Sequence, residues 1–440
     1  MNTDESTVSA PLPSTGFKGS DLPPLVTDAP PRVLIAGAGL AGLYLGILLE
    51  KAGIPYEIFE RTSEIKPLAF EQLGLYDKLL SISKPGGGLA TFYTDQLEVI
   101  ATSTSSHADI VGYVPLFFAR PELYDMLFKQ IPSENIHMSK KILSFQQNHE
   151  GVMLRFSDNT TAHGDILVGA DGAHSSVRQH LFKTMDKQGL LPKTDTKAMS
   201  KGYISVVGTT DELDPAKYPC LTEPKCEIAD DQFKSSDWKP QQNQEMLDLL
   251  RDFKTPYGTM GDLFDVTPIE RVSKVYYEDM LFETWTHGRT ILIGDAAHKL
   301  LPSSGAGAVN AMQDAVLLAN HLYDIKPTSF ENIKLALNAY KEERFDAVKD
   351  QYPQSYMSAK LIYGHSILER IIRYVIFNWL PKSVQKKQLI RDSAYRPQAN
   401  FLPLAPKRGT IDIIPQQPSK RMQKEEEEGR EQAEAAATAL

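Results

Sequence analysis

A chain of 440 residues, 42% hydrophobic and 23% charged, is long enough for two intimately packed domains plus appendages and has ordinary globular composition. Its formal net charge of −9 argues against a nucleic-acid partner, whose phosphates call for a basic surface. Cys220 and Cys226 have no metal-ligand spacing around them, so a reducing, intracellular compartment and no metal site are expected, with two free thiols favoured over a pairing of the two.

Residues 1–30 carry neither a basic start nor an apolar run, and read as a disordered leader rather than a signal peptide. The stretch RVLIAGAGLAGLYLGILLEKAGIPYEIFE follows. Four apolar residues from Val33 to Ala36 predict a buried strand. Leu40 to Lys51 continues helically, and Tyr56 to Phe59 forms the next strand. Between the first strand and the helix, Gly37, Gly39 and Gly42 match G-x-G-x-x-G: a tight turn, a close backbone approach to a pyrophosphate, and close helix–strand packing. Glu60 ends the second strand where an acid accepts hydrogen bonds from an adenosine ribose.

Further along, FFARPELYDML places Arg120 at the start of a helix. Alternating residues from 136 onward predict a hairpin turning near Glu150 and Gly151. A buried strand from Ile166 to Gly169 then ends in Asp171 and Gly172, with a helix beginning near Ser175. A third strand-and-turn lies in RTILIGDAAHKLLPSSGAGAVNAMQDAVLLANHLYDI, with a strand from Thr290 to Ile293, an acid at Asp295, a small-residue loop through Gly305 and Gly307, and a helix from Ala308 to Leu322. Either aspartate serves equally well as a ligand acceptor or as a helix cap. The intervening residues 191–285 lack such signals and suggest a mainly β substrate domain. Its aromatic residues Tyr257, Tyr276, Tyr277 and Trp285 fit an apolar pocket.

Toward the end of the chain, residues 367–387 combine Ile371, Ile372, Val375, Ile376, Trp379 and Leu380 with flanking Arg and Lys residues. Two arrangements fit: a helix packed on the body of the protein, which is favoured because amphipathic helices most often face a core, or a peripheral membrane contact. No run is long and apolar enough to predict a transmembrane span. Residues 351–410 make a helical region, and 411–440 a charged disordered tail of frayed helix or coil.

Taken together, GAGLAGL with Glu60, GADGAHSSVR and LIGDAAHKLLPSSGAGAVNAMQDA resemble the three fingerprints of class A FAD-dependent monooxygenases, the para-hydroxybenzoate hydroxylase superfamily. GYISVVG and YRPQANFLPL are similar to its fungal secondary-metabolism branch, which includes meroterpenoid and indole-diterpene epoxidases. The resemblance implies an α/β fold with a Rossmann-like FAD-binding domain (residues 31–190 and 286–350), an interwoven mainly β substrate domain and a C-terminal helical region. It implies FAD as cofactor, NAD(P)H as transient co-substrate, and O₂ with a small apolar substrate to be hydroxylated or epoxidised. The cofactor-binding residues it implies are Gly37, Gly39, Gly42, Glu60, Arg120, Asp171, Gly172, Asp295, Gly305, Gly307 and Ala308. Tyr203 is the implied active-site tyrosine, and a core tyrosine is the plainer alternative. His298 is assigned packing near the flavin rather than catalysis.

One segment departs from the family's pattern. After Glu60 the chain runs RTSEIKPLAFEQLGLYDKLL, so most of a flavin-lining loop is missing near Pro67 and Leu68. A related flavin reductase and an impaired FAD-binding protein therefore stand as alternatives, because an open ring pocket would admit water.

Overall fold

The computed structural model describes residues 26–61, 75–85, 89–94, 96–104, 108–113, 116–118, 120–207, 210, 213–214, 216–218, 241–301, 305–363 and 366–438. The expected leader, apart from its last residues, and the shortened segment around Pro67 lie outside the described residues.

Val33–Ala36 form strand β1, in which every side chain is buried. Helix α1, Leu40–Ala52, returns over the sheet to β2, Tyr56–Phe59. A hairpin, β3 (Leu89–Tyr93) and β4 (Val99–Thr104), precedes helix α2, Arg120–Phe128. After the short β5, Ile136–His137, come three antiparallel strands: β6 (Ile142–Gln147), β7 (Val152–Phe156) and β8 (Thr161–Gly164). Strand β9, Ile166–Gly169, leads to helix α3, Ser176–Lys187. Strands β10 (Ser200–Val207) and β11 (Ser273–Leu281) pair antiparallel, and β11 also pairs with β14, His298–Lys299. Between β11 and β14 in sequence lie β12, Thr286–His287, and β13, Thr290–Leu292. Helices α4 (Gly307–Tyr323), α5 (Phe330–Tyr363), α6 (Ile367–Trp379), α7 (Lys382–Ala394) and α8 (Lys420–Thr438) complete the chain.

The central sheet has the order β12-β13-β9-β1-β2-β5, parallel except for β12 at one edge. Parallel strands need both faces covered, which explains their continuous apolar runs. Helices α1 and α4 pack together over the sheet, and Gly46 lets α1 approach: a Cβ there would lie 2.9 Å from Ile58 Cδ1. The three-stranded sheet is fastened by buried Arg289, whose Nε and Nη2 donate to Asn148 O and His149 O at 2.9 and 2.6 Å and whose Nη1 donates to Asp165 O at 3.0 Å.

Two expectations at the carboxyl end change. Residues 367–387 are not one helix: Leu380 takes an extended conformation before Pro381, dividing them between α6, which packs one side on the body through Phe377 and Asn378, and α7, and neither helix has a fully buried residue. The charged tail carries α8, which has a physical anchor. Asp324 accepts from Ser419 Oγ at 2.5 Å and from the N–H groups of Lys420 and Arg421 at 3.1 and 3.2 Å, and Arg421 pairs with Glu425 one turn on.

Gly42 tests the closeness of the first turn, since a Cβ there would lie 2.0 Å from the Gly37 carbonyl oxygen. Gly42→Ala is expected to cost about 3 kcal/mol or more, because backbone rather than a flexible side chain must yield. Thermal unfolding of the purified variant measures it, and an unchanged midpoint would contradict this packing.

Candidate cofactor site

Strand register assembles the site. Ala36 stands beside Phe59 on one side and Gly169 on the other, and Gly169 stands beside Leu292. The four strands therefore stop on one line, and the three glycine-and-acid turns leave it side by side, where open α/β sheets take their ligands.

In the first turn each glycine meets a different constraint. Gly37 takes φ of +98°, and a Cβ would lie 2.6 Å from Ala170 O, so the first and second turns touch backbone to backbone. Gly42 is closed off by the Gly37 carbonyl. At Gly39, by contrast, a Cβ would meet only Ala170 O, at an ordinary 3.7 Å. Internal packing thus leaves position 39 open, at the N-cap of α1, where a pyrophosphate would approach the backbone. Glu60 faces this turn: its Oε2 accepts from Ala38 N at 2.8 Å, and Tyr124 Oη donates to Ala38 O. Arg120 opens α2 as expected, while its side chain lies outside the described residues.

The second turn is held by a cap. The Asp171 carboxylate accepts from Ser176 N at 2.7 Å, Val177 N at 3.2 Å and Ser176 Oγ at 2.9 Å. Asp171 therefore caps the start of α3. Gly172 takes φ of +82° with nothing within 4 Å of a notional Cβ. Arg178, not among the expected site residues, binds two turns together: buried, it donates to Ala173 O at 2.5 Å and to Ala296 O at 2.9 Å, and its guanidinium lies 4.2 Å from the Phe282 ring centroid.

In the third turn Asp295 accepts from Lys299 Nζ at 2.6 Å. Gly305 has φ of +64°, and neither it nor Gly307 has an atom within 4 Å of a notional Cβ. Helix α4 begins at Gly307, followed by Ala308; its N-cap is Ala306, whose methyl group cannot cap the leading N–H groups. Tyr203 is paired with Tyr277 in the β10–β11 ladder, and its side chain lies outside the described residues.

Behind this turn is a buried ionic cluster centred on Asp314. Oδ2 accepts from Gly294 N at 2.7 Å and from His298 Nε2 at 2.6 Å, while Oδ1 accepts from Arg344 Nε at 2.7 Å. Arg344 also reaches Asn310, and Trp285 packs on His298 with ring centroids 5.1 Å apart. One carboxylate thus joins the Gly294 turn, β14, α4 and α5.

The comparisons with known proteins agree with this geometry. A family described as FAD binding domain matches residues 31–199 and 237–353, more than half of the chain. This chain belongs to that family. Among curated relatives, the FAD-dependent monooxygenase penE of Penicillium thymicola is 25% identical over 86% of this chain and 88% of its own. The FAD-dependent monooxygenase olcE of Penicillium canescens is 26% identical over 86% and 91%. HpxO of Klebsiella pneumoniae, solved with FAD and uric acid, shares the fold with TM-score 0.66 at 18% identity, covering 82% of this chain and 96% of that one. Salicylate hydroxylase, solved with its substrate, gives TM-score 0.56 at 19% identity over 83% and 98%. The protein is an FAD-dependent monooxygenase of α/β fold with FAD as its cofactor.

Sequence reasoning missed Asp314, Arg344 and the bridging part of Arg178. Asp314 lies four residues after Asn310 in NAMQDA, a spacing that puts both on one helix face, but Arg344 is 30 residues away and only the fold brings it in. Burial alone would raise the Asp314 pKa; the adjacent His298 and Arg344 charges outweigh it and hold the carboxyl below its ordinary value. A depressed folded pKa stabilises the protein above the unfolded value of about 4 and loses that contribution as pH falls through the folded one. Asp314→Asn is expected to lower stability at neutral pH by about 3 kcal/mol, leaving Arg344 buried without its counter-charge, and to flatten the loss below about pH 4. Denaturant unfolding across pH checks both effects; parallel curves for parent and variant would refute the assignment.

Proposed function

We propose that this FAD-dependent monooxygenase uses NAD(P)H and O₂ to hydroxylate or epoxidise a small apolar substrate of the fungal secondary-metabolite class. The observation that carries the reading is the alignment of three turns at one sheet edge, with position 39 left open at the head of α1. The resemblance to the fungal branch and the fungal relatives penE and olcE support the substrate class.

On this reading the residues divide the cofactor among them. Gly37, Gly39 and Gly42 form the pyrophosphate cradle, and Glu60 turns its carboxylate to the adenosine ribose. Arg120 supplies positive charge from the start of α2. Asp171, through its cap, fixes the backbone around Gly172. Asp295 meets the polyol chain. Gly305, Gly307 and Ala308 present N–H groups and the α4 dipole to the pyrimidine end of the ring, where negative charge needs stabilising on reduction. Bound FAD, reduced by NAD(P)H, supplies the activation of O₂ and transfer of one oxygen atom. Tyr203 offers a phenol to a substrate oxygen. Peripheral membrane contact through residues 367–387 belongs to the same proposal, since an apolar substrate partitions into bilayers.

Glu60→Ala is expected to weaken FAD binding about tenfold to a hundredfold through loss of a charge-assisted hydrogen bond, with the fold retained. Flavin fluorescence titration of the apoprotein measures this, and undiminished affinity would remove Glu60 from the adenosine site.

The shortened segment at Pro67 sets a second test. With water admitted to the ring pocket, NADPH oxidation is expected to yield mostly hydrogen peroxide, and insertion of a family member's loop at Leu68 should move the yield toward oxygenated product. Peroxide and product are quantified against NADPH consumed. Tight coupling in the parent protein would show that other residues seal the site, and an absence of substrate-dependent NADPH oxidation across apolar candidates would overturn the monooxygenation proposed here.

A further inference from the structure

Helix α6 is amphipathic, and its faces are reversed with respect to the protein. Glu369, Arg373, Ile376 and Phe377 lie on the side toward the body, where Phe377 stacks on Phe92 of β3 with centroids 4.5 Å apart and Asn378 Nδ2 donates to Ile100 O of β4 at 3.2 Å. The opposite side is apolar and outward. Ile367 is 79% exposed, Ile371 55%, Val375 43% and Trp379 73%. At intervals of four residues these form one stripe along a helix of 13 residues. An apolar stripe of this size on a soluble surface marks a face that something else covers.

We infer that this stripe docks, lying in the plane, on an anionic lipid bilayer surface. Charge selects that occupant. Between residues 366 and 391 the basic residues Arg370, Arg373, Lys382, Lys386, Lys387 and Arg391 stand against one acid, Glu369, in a chain whose net charge is −9. Arg391 is engaged with Asp350 at 3.9 Å; Arg370 at the border of the stripe and the three lysines beyond Pro381 are exposed. Positive charge thus borders the apolar stripe at Arg370 and gathers in the chain directly after α6, as lipid-surface helices require: apolar side chains enter the headgroup boundary and cations meet anionic headgroups. Spanning is excluded for this helix, since no described helix is long and apolar enough to cross a membrane. The capping box at Ser366 and Glu369 starts α6, and Pro381 ends it, so the stripe is preformed before lipid arrives.

This deepens the membrane contact proposed above, and its test is independent of turnover. Flavin-loaded full-length protein is floated with vesicles of phosphatidylcholine alone or of phosphatidylcholine with phosphatidylserine, without substrate. Expected are binding to the phosphatidylserine vesicles that weakens with salt, and quenching of Trp379 fluorescence by brominated lipid, absent in Trp379→Phe. The double substitution Ile371→Asp with Val375→Asp is expected to reduce partitioning about tenfold or more while flavin content and NADPH oxidation in solution stay unchanged. Failure to bind either vesicle, or binding untouched by the double substitution, overturns the inference. So does a concentration-dependent dimer that the same substitution dissolves in place of lipid binding. Vesicle binding by a protein that fails to oxygenate any candidate would leave the docking standing and count only against the proposed reaction.

Discussion

The contact between Gly37 and the Ala170 carbonyl is the constraint on which the rest of the site depends. Two parallel strands can end level only if the chain leaving one can cross the end of the other, and a Cβ at 37 would push them apart. Because they do end level, the first turn meets the second at Gly37 and Ala170 and meets the Glu60 carboxylate at Ala38. Gly42 against the Gly37 carbonyl then brings the head of α1 to the same point. The partial positive charge of the helix is delivered there by backbone geometry alone.

Polar groups behind that edge hold the third turn. A buried carboxylate is costly unless its oxygens are fully engaged, and Asp314 meets that condition with a backbone N–H, an imidazole and a guanidinium. Arg178 acts similarly from the other side by tying Ala173 of the second turn to Ala296 of the third. The turns offered to the cofactor are thus set by residues that stand behind them, an arrangement suited to a site whose geometry must be preorganised.

The carboxyl-terminal region is held in two different ways. The strap from Tyr395 to Phe401 is fixed on α4 by Gln313 and Asn320, which donate to Tyr395 O and Gln398 O, and by stacking of Phe401 on Tyr323. Helices α6 and α7, by contrast, keep no side chain fully buried. Their residues contribute little to the core, which matches a role at the surface.

Much of the fold is legible in the chain because its signals are local. Strands Val33–Ala36, Tyr56–Phe59 and Ile166–Gly169 form where apolar runs stop at glycine or acid, and α1 and α4 begin within the glycine-rich turns that follow, since buried strands and helix starts are dictated by neighbours in sequence. Arg178, Asp314 and Arg344 are not legible in their joint roles, because a hydrogen bond spanning 30 or 118 positions leaves no periodic trace. The outward stripe of α6 escapes a reading of the chain for a related reason: the pattern Ile371, Val375, Trp379 states that one face is apolar, while which way that face turns depends on what the helix packs against. Short-range sterics and hydrophobic periodicity, both carried by neighbouring residues, are enough to specify the nucleotide turns and the succession of strands and helices around them. The partners of Asp314 and the orientation of α6 are settled by folding, because both depend on contacts between segments that meet only in the assembled core and at its surface.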